Sequence, residues 1–270
     1  MNSNTDESLT AFEALFAAHG GTPLEYLRPH YPRFLATRRE FLSSLENGRR
    51  GRVLDIGAHW LHQSMLYVTE GFEVVAVDMP TTLELDNVRS LAAAHSIELV
   101  AEPDLERAQS LRRIPDDSID VVLFTEIIEH ITFNPVAMWR EVYRVMKPGA
   151  RIVVTTPNAY ALRGRAWQWL RFLRGRGSGL SVKGILGTRT YGHHWKEFSR
   201  SELVDYFLSL TPDFVCRKAL LQRDFVHGPA GVRTLVARAI ETLVPLLRPN
   251  LHVEIELRSK RHGITAEPSW

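Results

Sequence analysis

Near the middle of the chain, Glu126, Glu129 and His130 stand at i, i+3 and i+4. That spacing puts all three side chains on one face if the segment makes one helical turn. Two carboxylates and an imidazole converging there can ligate a divalent metal or form a base dyad, while a His beside a carboxylate can also do no more than orient a loop. Further along, Tyr191-Gly192-His193-His194-Trp195-Lys196-Glu197-Phe198-Ser199-Arg200 brings two more imidazoles. His194, or His193 in its place, can complete a metal site or take a proton. A different chemistry resides in the first half. The apolar runs Arg52-Val53-Leu54-Asp55-Ile56-Gly57 and Glu73-Val74-Val75-Ala76-Val77-Asp78 each close on an acid. A carboxylate at such a strand tip can accept both hydroxyls of a ribose, and a glycine in the following turn lets a ligand approach the backbone. Gly57 is followed by Ala58, His59, Trp60, Leu61 and His62. Without Gly-x-Gly-x-x-Gly there is no pyrophosphate cradle, which argues against a nicotinamide oxidoreductase.

The elements that must position these groups follow from hydrophobic runs and helix signals. Strands are expected at 52–57, 73–78, 97–100, 119–124 and 151–156, alternating with helices at about 61–70, from Thr81 to about Ala94, and after Asn134-Pro135. Thr81 with Glu84, and Ser199 with Glu202, have capping-box spacing. Segments 214–222 and 251–258 read as a final strand pair around an apolar-striped helix at 231–247. The expected fold is a Rossmann-like doubly wound α/β sheet, mostly parallel with an antiparallel last strand, binding its ligand at the carboxyl ends of the strands. Residues 1–48 read as a helical cap broken by Pro23, Pro29 and Pro32. Residues 49–270 then form the main domain, with inserts at about 157–192 and 223–249.

Five segments in register resemble class I S-adenosylmethionine-dependent methyltransferases: Val53-Leu54-Asp55-Ile56-Gly57, Val77-Asp78, the run Ile114-Pro115-Asp116-Asp117-Ser118-Ile119-Asp120-Val121-Val122, Glu129-His130, and Val145-Met146-Lys147-Pro148-Gly149. The resemblance covers about residues 50–158 and implies S-adenosyl-L-methionine as cofactor. It implies that Asp55, Gly57, Ala58 and His59 form the turn at the methionine part, Asp78 with Met79 holds the ribose, Asp104 and Leu105 flank the adenine, and Thr125 faces the cofactor. The family usually has further glycines where this chain has His59 and Leu61, so the turn either takes another path or weakens the site. The pair of acid and His clusters is similar to that of terminal 2′-O-methyltransferases of small RNA, and the first also to ubiquinone-biosynthesis O-methyltransferases. Carried over, the metal ligands would be Glu126, Glu129, His130 and His194 around Mg2+ or Mn2+, lowering the pKa of an acceptor hydroxyl. Without a metal, His130, His194 or His193 would serve as the base.

The acceptor expected from this reading is a hydroxyl of a sugar, glycan or other small molecule. RNA fits less well, because 33 basic residues nearly balance 31 acidic ones and leave no chain-wide attraction for nucleic acid. Methylation at nitrogen or carbon, and a non-catalytic binding module that kept the fold, stand as alternatives. Arg163, Arg165, Arg171, Arg174 and Arg176 interleave with Trp167, Trp169 and Phe172 ahead of Gly175, Gly177 and Gly179. This basic aromatic insert could meet phosphates, sugars or, through 163–176, a membrane surface, or could be a lid with its Trp residues packed inward. The stripe Leu235, Val236, Ala239, Ile240, Leu243 and Leu247 reads as core or dimer interface. A single Cys216 and a start without a basic, apolar signal lead to the expectation of a cytoplasmic protein.

Overall fold

A computed structural model describes residues 3–45, 50–162, 164–168, 173–175, 179–188, 190–223 and 231–269. Arg163, Trp169, Arg171, Phe172, Arg176 and Gly177 lie outside the described residues. The strands β1 (Arg52–Ile56), β2 (Glu73–Asp78), β3 (Glu98–Ala101), β4 (Ile119–Thr125), β5 (Met146–Pro157), β6 (Phe214–Gln222) and β7 (Asn250–Leu257) form one sheet in the order β3-β2-β1-β4-β5-β7-β6. All neighbours from β3 to β5 run parallel, and β7 is antiparallel to both β5 and β6. The strand order reverses between β1 and β4, which opens a crevice at their carboxyl ends.

Successive strand residues point to opposite faces, and both faces are dry. Leu54, Ile56, Val122, Phe124, Ile152 and Val154 pack under α6 (Val136–Val145) and α8 (Arg200–Leu208), where Trp139 and Phe207 are buried. Val53, Val121, Leu123 and Val153 face the other way. Those residues pack with Phe16 of α1 (Ser3–Ala17), Leu27, Phe34 and Phe41 of α2 (Leu24–Leu42), Met65 of α3 (His62–Val68) and Leu91 of α5 (Asp86–Ala94). The capping box at Ser199 and Glu202 forms in both directions, and Asn134 Oδ1 accepts from the Val136 N–H at 3.0 Å to start α6.

Two local expectations are corrected. Pro29 and Pro32 lie inside an unbroken α2. Each costs about 3 kcal/mol in a helix interior, but Leu27, Tyr31, Phe34, Thr37 and Phe41 are all buried along one face, and that packing outweighs local propensity. Thr81 and Glu84 do not cap a long helix. A short α4 (Pro80–Leu83) starts with Pro80 at its first turn, and Leu85, extended at φ −62° and ψ 134°, separates it from α5. Of the remaining described helices, α7 spans Val182–Gly187 and α9 spans Val232–Leu243. Leu235, Val236, Ile240 and Leu243 of α9 are exposed, so the stripe is not core of this chain.

Candidate functional site

The turn after β1 is built on a left-handed backbone. Gly57 has φ +81°, and a Cβ placed there would lie 2.1 Å from Ile127 Cδ1. Its N–H donates to the Val77 carbonyl at 2.8 Å, fastening the turn to β2. His59 and Leu61 also have positive φ, 51° and 66°. The turn therefore keeps a left-handed path at both positions, at a cost of roughly 1–2 kcal/mol per residue. Compensation comes from the His59 N–H, which donates to Asp78 Oδ2 at 2.7 Å, from the His59 ring 3.6 Å from that of Trp60, and from complete burial of Leu61. Gly57→Ala should destabilise the protein by about 2 kcal/mol or more in urea unfolding, with partial recovery when Ile127→Ala is added. Unchanged stability would show that the contact with Ile127 is not tight.

Two cavities of about 390 Å³ each flank this turn and share Gly57, Asp78, Ile127, His130 and Tyr191. Met79, Asp104 and Leu105 line the first, and Ala58, His59, Thr125 and Glu126 line the second. Asp78 Oδ1 accepts from the Met79 N–H at 2.7 Å, so both its oxygens hold backbone. Asp55 lines neither cavity. It is buried and accepts from Ser64 Oγ at 2.6 Å, and burial pushes its carboxyl up to about 7. Sequence reasoning missed several lining residues. Buried Glu102 holds the 102–110 loop by accepting from the Asp104 N–H at 2.9 Å and the Ser110 N–H at 2.7 Å; an isolated acid past a strand has no recognisable spacing. Tyr26 and Arg33 reach the second cavity from α2, and Gln63 reaches it from α3. Such contacts between distant segments leave no periodic trace.

Glu126, Glu129 and His130 do not share a helical face. Glu126 has φ +58°, only Ile128–His130 form a 3-10 turn, and Glu126 Oε2 pairs with Arg33 Nη1 at 2.9 Å. The Glu126 carboxylate is engaged by Arg33, though its charge still reaches Glu129 and His130. The acid-and-imidazole cluster found among the described residues is Glu129, His130 and His194, with ligand atoms all within 4.8 Å of one another. Glu129 and His130 are each hydrogen-bonded from behind. Glu129 is fully buried, its Oε2 accepts from Thr156 Oγ1 at 2.9 Å, and its Oε1, which has no hydrogen-bond partner among the described residues, lies 3.9 Å from His130 Nε2. Burial, reinforced by the charge of Glu126, holds its carboxyl well above the usual carboxylate range.

His130 Nδ1 lies 3.0 Å from the His193 carbonyl. A carbonyl only accepts, so Nδ1 carries the proton and Nε2 keeps its lone pair. Burial, with His194 next, lowers the His130 pKa below its ordinary value. His194 Nδ1 faces Glu197 Oε1 at 3.8 Å, and the two imidazole rings stand 4.8 Å apart at 87°. His193 contributes its carbonyl here while its ring lies 5.3 Å from that of Trp195. Arg165 binds Glu197 through its N–H at 3.2 Å, so the insert braces the cluster, and Trp167 is partly exposed with its indole N–H on the Tyr160 carbonyl.

A family model described as a methyltransferase domain matches residues 26–207, spanning the turn, both cavities and the triad. The chain belongs to the methyltransferase-domain family. This methyltransferase is 28% identical over 215 residues to the ubiquinone biosynthesis O-methyltransferase of Xanthomonas oryzae pv. oryzae (strain PXO99A), covering 76% of the chain and 74% of the relative. It is also 28% identical over 181 residues to the protein of that name from Pseudomonas entomophila (strain L48), covering 57% and 74%. Its fold is similar to the putative methyltransferase solved with the Haloferax volcanii Trm112 activator, at TM-score 0.59, 16% identity and coverage of 92% and 98%. A Mesorhizobium loti S-adenosylmethionine-dependent methyltransferase gives TM-score 0.54, 15% identity and coverage of 84% and 97%. The protein is thus an enzyme of the class I S-adenosylmethionine-dependent methyltransferases, with the mostly parallel Rossmann-like sheet of that class.

Proposed function

We propose that this enzyme methylates a hydroxyl of a small molecule or glycan carrying two adjacent oxygens, with Mg2+ or Mn2+ held by Glu129, His130 and His194. The observation that carries this reading is the convergence of a buried carboxylate oxygen, without a hydrogen bond among the described residues, with two imidazoles beside the shared cavity wall. Two imidazoles and one carboxylate, with the carboxylate and the His130 ring each held from behind by a hydrogen bond, suit a divalent ion that keeps coordination positions open. The relatives that share the family are named O-methyltransferases, which supports oxygen as the acceptor atom.

The residues present also fit the cofactor. Asp78 and Met79 would take the ribose, Asp104 and Leu105 the adenine, and the Gly57-Ala58-His59 turn with Thr125 the methionine part. Arg33, the guanidinium in the second cavity's lining, pairs with Glu126 through Nη1, and its fork of N–H groups suits a second carboxylate. S-adenosylmethionine supplies an electrophilic methyl group, and a bound metal would lower the pKa of the acceptor hydroxyl. The chain aligns the acceptor oxygen with the methyl carbon; the new carbon–oxygen bond forms as the carbon–sulfur bond breaks, and the hydroxyl proton leaves to solvent or an imidazole. A second reading, His130 as an unassisted base, is favoured by its fixed Nδ1–H and free Nε2 lone pair.

Calorimetry separates them. S-adenosylmethionine is expected to bind in the micromolar range, and a catechol to bind the cofactor-loaded enzyme only with Mg2+ or Mn2+ present. Cofactor binding with catechol methylation indifferent to chelation would favour the base, and no cofactor binding would overturn both readings.

A further inference from the structure

The insert after β5 differs in chemistry from the rest of the chain. From Asn158 to Lys196 there are eight Lys or Arg residues and no Asp or Glu, leaving 25 basic against 31 acidic residues elsewhere. Charge segregated in this way points to an anionic partner. The same segment turns aliphatic groups outward, with Leu173, Val182 and Leu186 at 68%, 74% and 82% exposure. A second apolar surface adjoins its base. The Asn158 amide donates to the carbonyls of Leu246 and Arg248 at 2.8 and 2.7 Å, just past the end of α9. That helix is inverted: Glu241 is buried against the body, whereas Leu235 and Leu243 are 56% and 83% exposed.

The kind of occupant follows from these side chains. Single-stranded RNA is met by aromatic platforms; Tyr191, Trp167 and Trp195 of the insert are 67%, 46% and 41% exposed, but Val182, Leu186 and Leu243 are exposed further still and, being aliphatic, give a base nothing to stack on. A second copy would bring one acid-free basic insert against another and repel it. Cations interspersed with aliphatic groups match an anionic headgroup layer over hydrocarbon. We propose that the described part of the 158–196 insert and the outer face of α9 seat the enzyme on an anionic lipid surface, with Val182, Leu186 and Leu243 in the interface and Arg174 and Lys183 at the headgroups. Among the described residues no helix is long and apolar enough to cross a membrane, so the seating is peripheral. Tyr191, in the same insert, lines both cavities, which places the site beside the bilayer.

The test is sedimentation of the full chain with vesicles of phosphatidylcholine alone or mixed with phosphatidylglycerol. Binding to the anionic vesicles is expected to be at least about tenfold stronger than to neutral ones, and to weaken in high salt. Val182→Glu with Leu186→Glu should weaken it about tenfold, and so, separately, should Lys183→Glu, each with circular dichroism and S-adenosylmethionine affinity unchanged. Equal binding to both vesicles, insensitivity to these variants, tighter binding to oligouridylate than to anionic vesicles, or loss of a solution dimer in the double variant would each overturn the proposal.

Discussion

Glu129→Gln should leave the protein folded yet lower its affinity for Mg2+ or Mn2+ by more than about a hundredfold, with catechol methylation falling in parallel, because a first ligand outweighs the 10–100-fold effect of a supporting group. The amide keeps the shape of the side chain and its contact with Thr156 Oγ1, so the change removes a charge and little volume. The pH dependence gives a second signature. In the metal-free protein the Glu129 carboxyl holds its proton above the ordinary carboxylate range because of burial and Glu126. The unfolded chain releases that proton at a lower pH, so the stability contributed by the protonated form is full at acid pH and is lost as pH rises through the raised folded value. Glu129→Gln should flatten this loss, while in the wild type a bound metal displaces the proton and should bind more tightly as pH rises. Titration calorimetry and thermal unfolding across pH measure both. Full metal occupancy in the variant would remove Glu129 from the ligand set and leave His130 as a base.

Asp78→Ala should weaken S-adenosylmethionine binding by more than about tenfold. The expected loss exceeds that of a single ribose contact, because Asp78 also accepts from the N–H groups of His59 and Met79 at 2.7 Å each. Removing the carboxylate frees the left-handed His59 and loosens the turn on which the methionine part would rest. Asp78→Asn keeps one acceptor oxygen and should fall between the two. Near-wild-type affinity of Asp78→Ala by calorimetry would refute the assignment.

The strand-end acids, the alternation of strands with helices and the antiparallel close were readable from sequence because they rest on short-range patterns: apolar runs of strand length, a period of two, and capping residues at fixed offsets. Asp78 and Gly57 were legible for the same reason, since one closes a predictable strand and the other follows one, whereas the pairing of His130 with His194 was reached through the family resemblance. What tertiary structure alone decided was of another kind. Burial on one face kept α2 helical through Pro29 and Pro32, and a positive φ at Glu126, pinned by Arg33 from α2, removed that carboxylate from the cluster its spacing suggested. Gln63, Glu102 and Arg33 came to line the cavities only when distant segments met, and α9 turned its apolar stripe outward rather than to the core. Local spacing encodes which face of an element a residue occupies. Which neighbour that face meets is set by long-range packing, whose energy is summed over contacts that no sequence window contains.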